Sequence, residues 1–248
     1  GKQEARVVKT LSRNFDRVLV HADPGLVEIR ETLGPIDEIS IPVYYTGYIA
    51  PKPSADAGPR IRKQMHMDDG EALIVASAGG GNVGAPLLYA VIRAFAQLER
   101  DDCRLQVFTG PFLNSRDFDD LKKLAPARAG VDKFTPDFIS YLAAADLSVS
   151  MGGYNTTMNL LATRVPALLW PFAQNREQRL RAGRLAEHGC LTVLEDADLR
   201  PDRLAVMMVQ KLSQSTRTAA TINLNGAETT AARIQDWLPA QGVNIDAT

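Results

Sequence analysis

Between Ala72 and Ile92 the chain carries no charged residue, yet the stretch cannot be one continuous element. Gly79, Gly80, Gly81 and Asn82, then Gly84 and Pro86, interrupt it. A membrane span needs an almost unbroken apolar run of about 20 residues. The stretch reads instead as a buried strand (72–76), a glycine loop and a helix (87–98). A strand built from consecutive apolar residues has both faces covered, which is the habit of parallel sheets with helices on each side.

The same order recurs down the chain. Strands expected at 104–108, 131–134, 147–150, 167–170 and 191–194 alternate with helices at 118–124, 137–145, 156–162, 177–187 and 199–212. His188-Gly189 closes the helix 177–187, with Gly189 as the residue just past its end. A last helix covers 226–238, before Pro239. This alternation predicts an α/β fold, a doubly wound parallel sheet of Rossmann-like type. In such sheets ligands sit at the carboxyl ends of the strands. Upstream, strands at 17–21 and 39–45 flank a helix at 27–33, and Pro51, Pro53, Gly58 and Pro59 mark a linker.

Composition narrows the function classes. Twenty-eight basic residues against 29 acidic ones give a net charge of -1. No basic excess exists to hold a phosphate backbone, so nucleic acid is not an expected partner. The two cysteines, Cys103 and Cys190, are far apart and have no neighbour at metal-ligand spacing. Neither a disulfide framework nor a metal site is expected, and the cysteines read as core thiols in a reducing, cytoplasmic compartment.

Three loops are candidates for chemistry, each between a strand end and a helix start. The first is Ala78-Gly79-Gly80-Gly81-Asn82-Val83-Gly84. Glycines let the backbone approach an anion closely, and free N–H groups at a helix start point toward it. No Gly-Lys-Ser/Thr follows, so it is not a P-loop. It matches the glycine spacing of a dinucleotide loop, but no acidic residue ends the next strand where a ribose would need one, which speaks against a nicotinamide cofactor. A glycine turn without ligand is the alternative. The second loop is Met151-Gly152-Gly153-Tyr154-Asn155-Thr156-Thr157. It offers backbone donors, an amide and hydroxyls to an anion or sugar, or else a helix start capped by Asn155 or Thr156. The third runs from Trp170 to Gln178. Glu177 and Gln178 are placed to read sugar hydroxyls, or else form an exposed first turn favoured by the helix dipole.

Taken in order, Met151-Gly152-Gly153-Tyr154-Asn155-Thr156, Leu160-Leu161-Ala162, Val165-Pro166-Ala167-Leu168, Pro171-Phe172 and Glu177-Gln178-Arg179-Leu180-Arg181-Ala182 resemble the donor-binding half of a GT-B glycosyltransferase of the family 28 type. That family includes the N-acetylglucosaminyl transferase of peptidoglycan lipid II synthesis. Residues 15–24, 45–48, 78–81 and 109–111 are similar to earlier parts of the pattern, so the resemblance runs from Asp16 to Gly189. It implies a domain plan: 1–50 the end of an N-terminal Rossmann-like domain, 51–70 a crossing, 71–240 the nucleotide-sugar donor-binding domain and 241–248 a tail. It also implies roles. Gly80, Gly81 and Asn82 fall near the donor phosphates, and Phe134 and Thr135 where a uracil ring is held. Gly152, Gly153, Asn155 and Thr156 fall at the diphosphate, and Glu177 and Gln178 at the donor sugar. The implied reaction is an inverting transfer of a hexosyl or N-acetylhexosaminyl group from a UDP-sugar, with no metal and no cofactor. Helix N-termini would stabilise the leaving diphosphate.

Two departures from the family matter. Asn159 stands where a glutamate usually binds both ribose hydroxyls, and an amide binds a diol without charge assistance. Most of a first domain is absent from this sequence, and the start at Gly1, not Met, fits a fragment. The chain is expected to hold the donor and to lack the general base, so its catalytic residues and acceptor are unassigned. Two other readings stay open: a non-catalytic donor-binding subunit with a membrane-associated partner, and a sugar-nucleotide epimerase. A homodimer through the cleft face and a place at the inner membrane surface are further expectations.

The remaining polar residues are weaker candidates. His21 and Asp23 read as an acid/base pair or, more simply, a strand exit. His66 reads as loop and His188 as a last-turn residue. Arg176, Arg179, Arg181 and Arg184 read as a solvated face, with Arg179 or Arg181 the choice for one turned inward toward a diphosphate.

Overall fold

The computed structural model describes residues 2–80, 83–214 and 221–238, which fall into two compact units divided at Ala50/Pro51 and Thr221/Ile222. The first unit begins with α1 (Lys2–Asn14), then β1 (Val18–Val20) and β2 (Val43–Tyr45), which pair in parallel with Val18 opposite Val43. Helix α1 was not expected. Its sequence is polar at most positions, and of its two adjacent valines Val8 is buried while Val7 is 41% exposed. The helix expected at 27–33 is only a 3-10 turn, Ile29–Glu31. Gly34-Pro35 stops its growth, and a nucleus this short gains little from one hydrogen bond per residue.

The second unit contains α2 (Ala57–Gln64), β3 (Ala72–Ser77), α3 (Ala85–Ala96), β4 (Cys103–Phe108), α4 (Ser115–Leu124) and β5 (Ala129–Asp132). It continues with α5 (Phe138–Ala144), β6 (Leu147–Met151), α6 (Tyr154–Thr163), β7 (Ala167–Trp170), α7 (Arg176–Glu187), β8 (Thr192–Val193) and α8 (Pro201–Ser213). The six strands form one parallel sheet in the order β5-β4-β3-β6-β7-β8. This is the doubly wound order, and its reversal point lies between β3 and β6. Strands β3 and β6 are buried almost throughout, as their apolar sequences demand. On one face Leu87, Leu88, Ile92 and Phe95 of α3 meet Leu204 and Met208 of α8, all fully buried. Helix α7 ends as expected. Gly189 takes a positive φ of +70°, its N–H bonds to the Ala186 carbonyl and that of Cys190 to the Leu185 carbonyl. That pattern is the Schellman end.

Three features differ from the expected plan. The strand placed at 131–134 lies two residues earlier, because Lys133 and Phe134 have already left the sheet. The stretch 51–70 is not all linker. Helix α2 fills part of it, with Pro59 tolerated in the first turn, where no intrahelical N–H bond is needed. Ala57 and Ile61 are buried, and Arg62 donates to the Ala144 carbonyl and to Asp146. The last helix, α9 (Gly226–Trp237), makes its contacts within the first unit. Trp237 packs 5.2 Å from Tyr44, centroid to centroid, and Arg17 and Arg233 cover the two rings. Residues 239–248, including the expected tail, lie outside the described residues.

Candidate functional site

The site is built by the residues that follow β3, β5 and β6. Ser77 ends β3, and its hydroxyl accepts the Gly79 N–H at 3.1 Å. Gly79 has a φ of +70°, a left-handed turn that glycine adopts without strain. Gly84 then opens α3 and must also be glycine. A Cβ there would stand 2.2 Å from the Ala78 Cβ and 3.0 Å from the Met151 Sδ. Gly81 and Asn82 lie outside the described residues.

Strand β6 hands over to α6 through Gly152 and Gly153. The helix starts at Tyr154, two residues earlier than expected, so neither Asn155 nor Thr156 is its cap. Gly153 is the cap residue and has no side chain to offer the first N–H groups. The Thr157 hydroxyl donates back to the Gly153 carbonyl at 2.8 Å and accepts none of the first N–H groups. An α6 start without a side-chain cap therefore presents its backbone donors and the positive end of its dipole.

Two adjoining pockets share this corner. The larger, about 330 Å³, is lined by Ser77, Gly79, Gly80, Phe108, Gly110, Pro111, Lys133, Phe134, Thr135, Pro136, Phe138, Asn155, Thr156 and Asn159. Phe134 is 67% exposed at its mouth, whereas Phe108 is buried and packs edge-on to Phe138 and Tyr141. Asn159 lies one helical turn after Asn155, on the same face of α6. The smaller pocket, about 240 Å³, is lined by Ala78, Gly79, Gly80, Val83, Met151, Gly153, Tyr154, Asn155, Thr156, Phe172 and Gln178. Gly79, Gly80, Asn155 and Thr156 line both. Among the described residues, neither lining contains an Asp, Glu or His.

The loop that carries Thr135 is braced from below. Its hydroxyl accepts the Asp137 N–H at 3.1 Å. Asp137 in turn accepts from the Ser140 hydroxyl and pairs with Arg60 of α2 at 2.7 Å. Those two donors, Ser140 first, hold the Asp137 carboxyl below its ordinary pKa, and Asp137 raises that of Arg60. The network ties α2 to the floor of the larger pocket.

The structure sorts the expected site residues. Gly80, Phe134, Thr135, Gly153, Asn155, Thr156, Asn159 and Gln178 all line one or both pockets. Gly152 lies just behind, buried against Pro171. Glu177 lines neither pocket. It is 61% exposed and pairs with Arg181 at 2.7 Å, because it faces along α7 toward the next turn. Gln178 uses its side-chain oxygen to accept the Phe172 N–H at 3.2 Å. Of the four arginines on α7, Arg181 is the one turned inward, while Arg179 is not buried. In the first unit, both Asp23 carboxylate oxygens are taken by backbone N–H groups, of Gly25 and Asn223, and His21 bonds to Thr46. These contacts are those of the strand-exit reading. Both cysteines are buried, and burial pushes their thiols up. Among the described residues no helix is long and apolar enough to cross a membrane.

Comparisons with known proteins give the family and the fold. A family model described as the glycosyltransferase family 28 C-terminal domain matches residues 76–236. A UDP-N-acetylglucosamine--N-acetylmuramyl-(pentapeptide) pyrophosphoryl-undecaprenol N-acetylglucosamine transferase of Carboxydothermus hydrogenoformans is 30% identical over 159 residues, 61% of this chain and 41% of that protein. The chain spans about two fifths of the length of such curated relatives. Among solved structures, the glycotransferase of kitacinnamycin aligns with a TM-score of 0.63 at 17% identity, covering 96% of this chain and 66% of its own. MurG of Acinetobacter baumannii aligns with a TM-score of 0.60 at 16% identity, covering 95% of this chain and 78% of its own. At these identities the structures speak for the fold.

Proposed function

Because the chain belongs to the glycosyltransferase family 28 C-terminal domain family, we propose that it binds a nucleotide-diphosphate sugar and supplies the donor half of a glycosyl transfer. The observation that carries the proposal is the meeting of two glycine loops at the strand-order reversal, with the uncapped start of α6 in both pockets. An anion belongs at such a helix start.

The parts divide as follows. The larger pocket takes the nucleoside, with Phe134 over the base, Thr135 at its edge and Asn159 on the ribose. UDP is the proposed nucleotide, in keeping with the relative from Carboxydothermus, whose name specifies a UDP-sugar. The diphosphate lies across Gly79 and Gly80 against the N–H groups of Asn155 and Thr156. These fixed dipoles stabilise the charge that grows on the leaving group and need no rearrangement to do so. The sugar, a hexose or N-acetylhexosamine, occupies the smaller pocket beside Gln178. In this reading the chain has no resident cofactor and needs no divalent ion, since helix and loop N–H groups meet the diphosphate charge.

Transfer breaks the bond between the sugar anomeric carbon and the diphosphate oxygen, and forms one to an acceptor oxygen on the opposite face, with inversion. The acceptor hydroxyl gives its proton to a base. No carboxylate or imidazole lines either pocket among the described residues, so that base comes from outside this domain. The same observation favours the second reading, a donor-binding subunit completed by a partner, and speaks against an epimerase. By analogy with the same relative, the acceptor is a lipid-carried sugar, which would bring the protein to a cytoplasmic membrane surface.

Calorimetric titration with UDP, TDP, ADP and NAD, in EDTA, tests the proposal. Saturable binding of one nucleoside diphosphate, with NAD inert, is expected. Failure of every nucleoside diphosphate to bind would refute it.

A further inference from the structure

We propose that Arg181 is a positioning residue for the diphosphate end of this site, and that Glu177 holds its charge in check. The inference rests on the donor-site reading above. The Arg181 side chain is only 5% exposed. One terminal nitrogen, Nη1, lies 2.7 Å from the Glu177 Oε1, and the other, Nη2, donates to the Gly152 carbonyl at 3.4 Å. The guanidinium carbon sits 5.4 Å from the centre of the Tyr154 ring. Gly152 and Tyr154 flank Gly153, the residue that opens α6. Arg181 therefore grips both sides of the turn that aims the α6 donors.

Its Nε hydrogen is buried and has no hydrogen-bond partner among the described residues. A buried donor left unmet is costly, and a buried charge more so. The ion-pair partner, Glu177, is itself well exposed, so water and salt weaken its share of the neutralisation. Positive potential is left over behind the α6 start, where the helix dipole already adds to it. Two aligned sources of positive field favour an anion on the far side of the turn. A ligand that carries a diphosphate gains from both, and a bare nucleoside from neither. Arg181 thus acts through the Gly152–Tyr154 turn, and it selects for the charged part of the ligand.

The experiment titrates the full chain and its R181M, R181K and E177Q variants with UDP and with uridine at low ionic strength, after a thermal melt of each. R181M should weaken UDP by about ten-fold and leave uridine within about two-fold. R181K should restore most of the UDP affinity, because it keeps the charge. E177Q should tighten UDP by about three-fold, a gain that fades as salt is added. An arginine that merely held the fold would give the opposite sign for E177Q, because loss of the ion pair would loosen the turn. Equal losses of UDP and uridine in R181M, or weaker UDP binding in E177Q, would overturn the inference. If R181M does not fold, the E177Q sign and R181K decide alone. Should the wild-type chain bind UDP no better than uridine, the donor-site reading itself fails, and that is visible before any variant is compared.

Discussion

Ser77 and Ser150 stand directly opposite each other in the β3–β6 pair, at the level where the two strands part. Each is spent on local order. The Ser77 hydroxyl fixes the Gly79 N–H, and the Ser150 hydroxyl bonds that of Ser148 at 2.8 Å. The two glycine loops leave the sheet from this common level. They stay close enough that a Cβ on Gly79 would lie 3.7 Å from the Thr156 hydroxyl. Two loops whose glycines, Gly79-Gly80 and Gly152-Gly153, are 73 residues apart in the chain thereby become the walls of one cradle.

Replacing Gly84 should damage both stability and binding. A methyl at this position meets Ala78 and Met151 inside ordinary contact distance. G84A is expected to cost about 1–3 kcal/mol, as overpacking does. G80A meets nothing within 4 Å and should leave stability unchanged. Urea midpoints of the two variants check the contrast.

Phe134 stands exposed beside the larger pocket, so its removal should separate binding from folding. F134A should leave the thermal midpoint within about 1 °C, as exposed positions away from special contacts do. It should weaken UDP by roughly ten-fold through lost aromatic contact with the base. Equal UDP affinity in F134A would remove Phe134 from the site.

Asn159 bears on the ribose. Restoring a carboxylate with N159E should tighten UDP by roughly ten-fold, since a charge-assisted bond replaces a neutral one. The gain should be smaller for 2′-deoxy-UDP, which has lost one hydroxyl of the diol. A uniform gain for both nucleotides would show that residue 159 does not face the ribose.

Acid should release the brace under Thr135. The Asp137 carboxyl is held below its ordinary value of 3.8 by Ser140 and Arg60. A depressed folded pKa contributes stability above the unfolded value and loses it as pH falls through the folded one. D137N should therefore be less stable than wild type at pH 7, and the gap should close as pH drops below 3.8. Melting curves from about pH 2 to about pH 7, which bracket the ordinary Asp value of about 3.9, would show it.

Much of this was legible in the sequence, for reasons that particular residues make plain. Strands β3, β4, β6 and β7 announce themselves because both their faces are buried, and glycine follows three of those four within three residues. Helix α1 hides because few of its side chains face a core. Helix α2 hides behind Gly58 and Pro59, which are tolerated in a first turn but read as a linker. Helix α9 is visible as a helix, but its partner Tyr44 is nearly 200 residues away in sequence, so its unit is not. Arg181 sits in a run of arginines that composition cannot rank. Its burial follows from the α7 face that meets Gly152, a tertiary fact.

Amide hydrogen exchange with and without UDP, in EDTA, measures the central claim most directly, because it locates the ligand by chain position. Protection is predicted in the segments around 77–84, 133–138 and 152–159, the walls of the two pockets. Protection confined to other segments, or none at a saturating UDP concentration, would contradict the account.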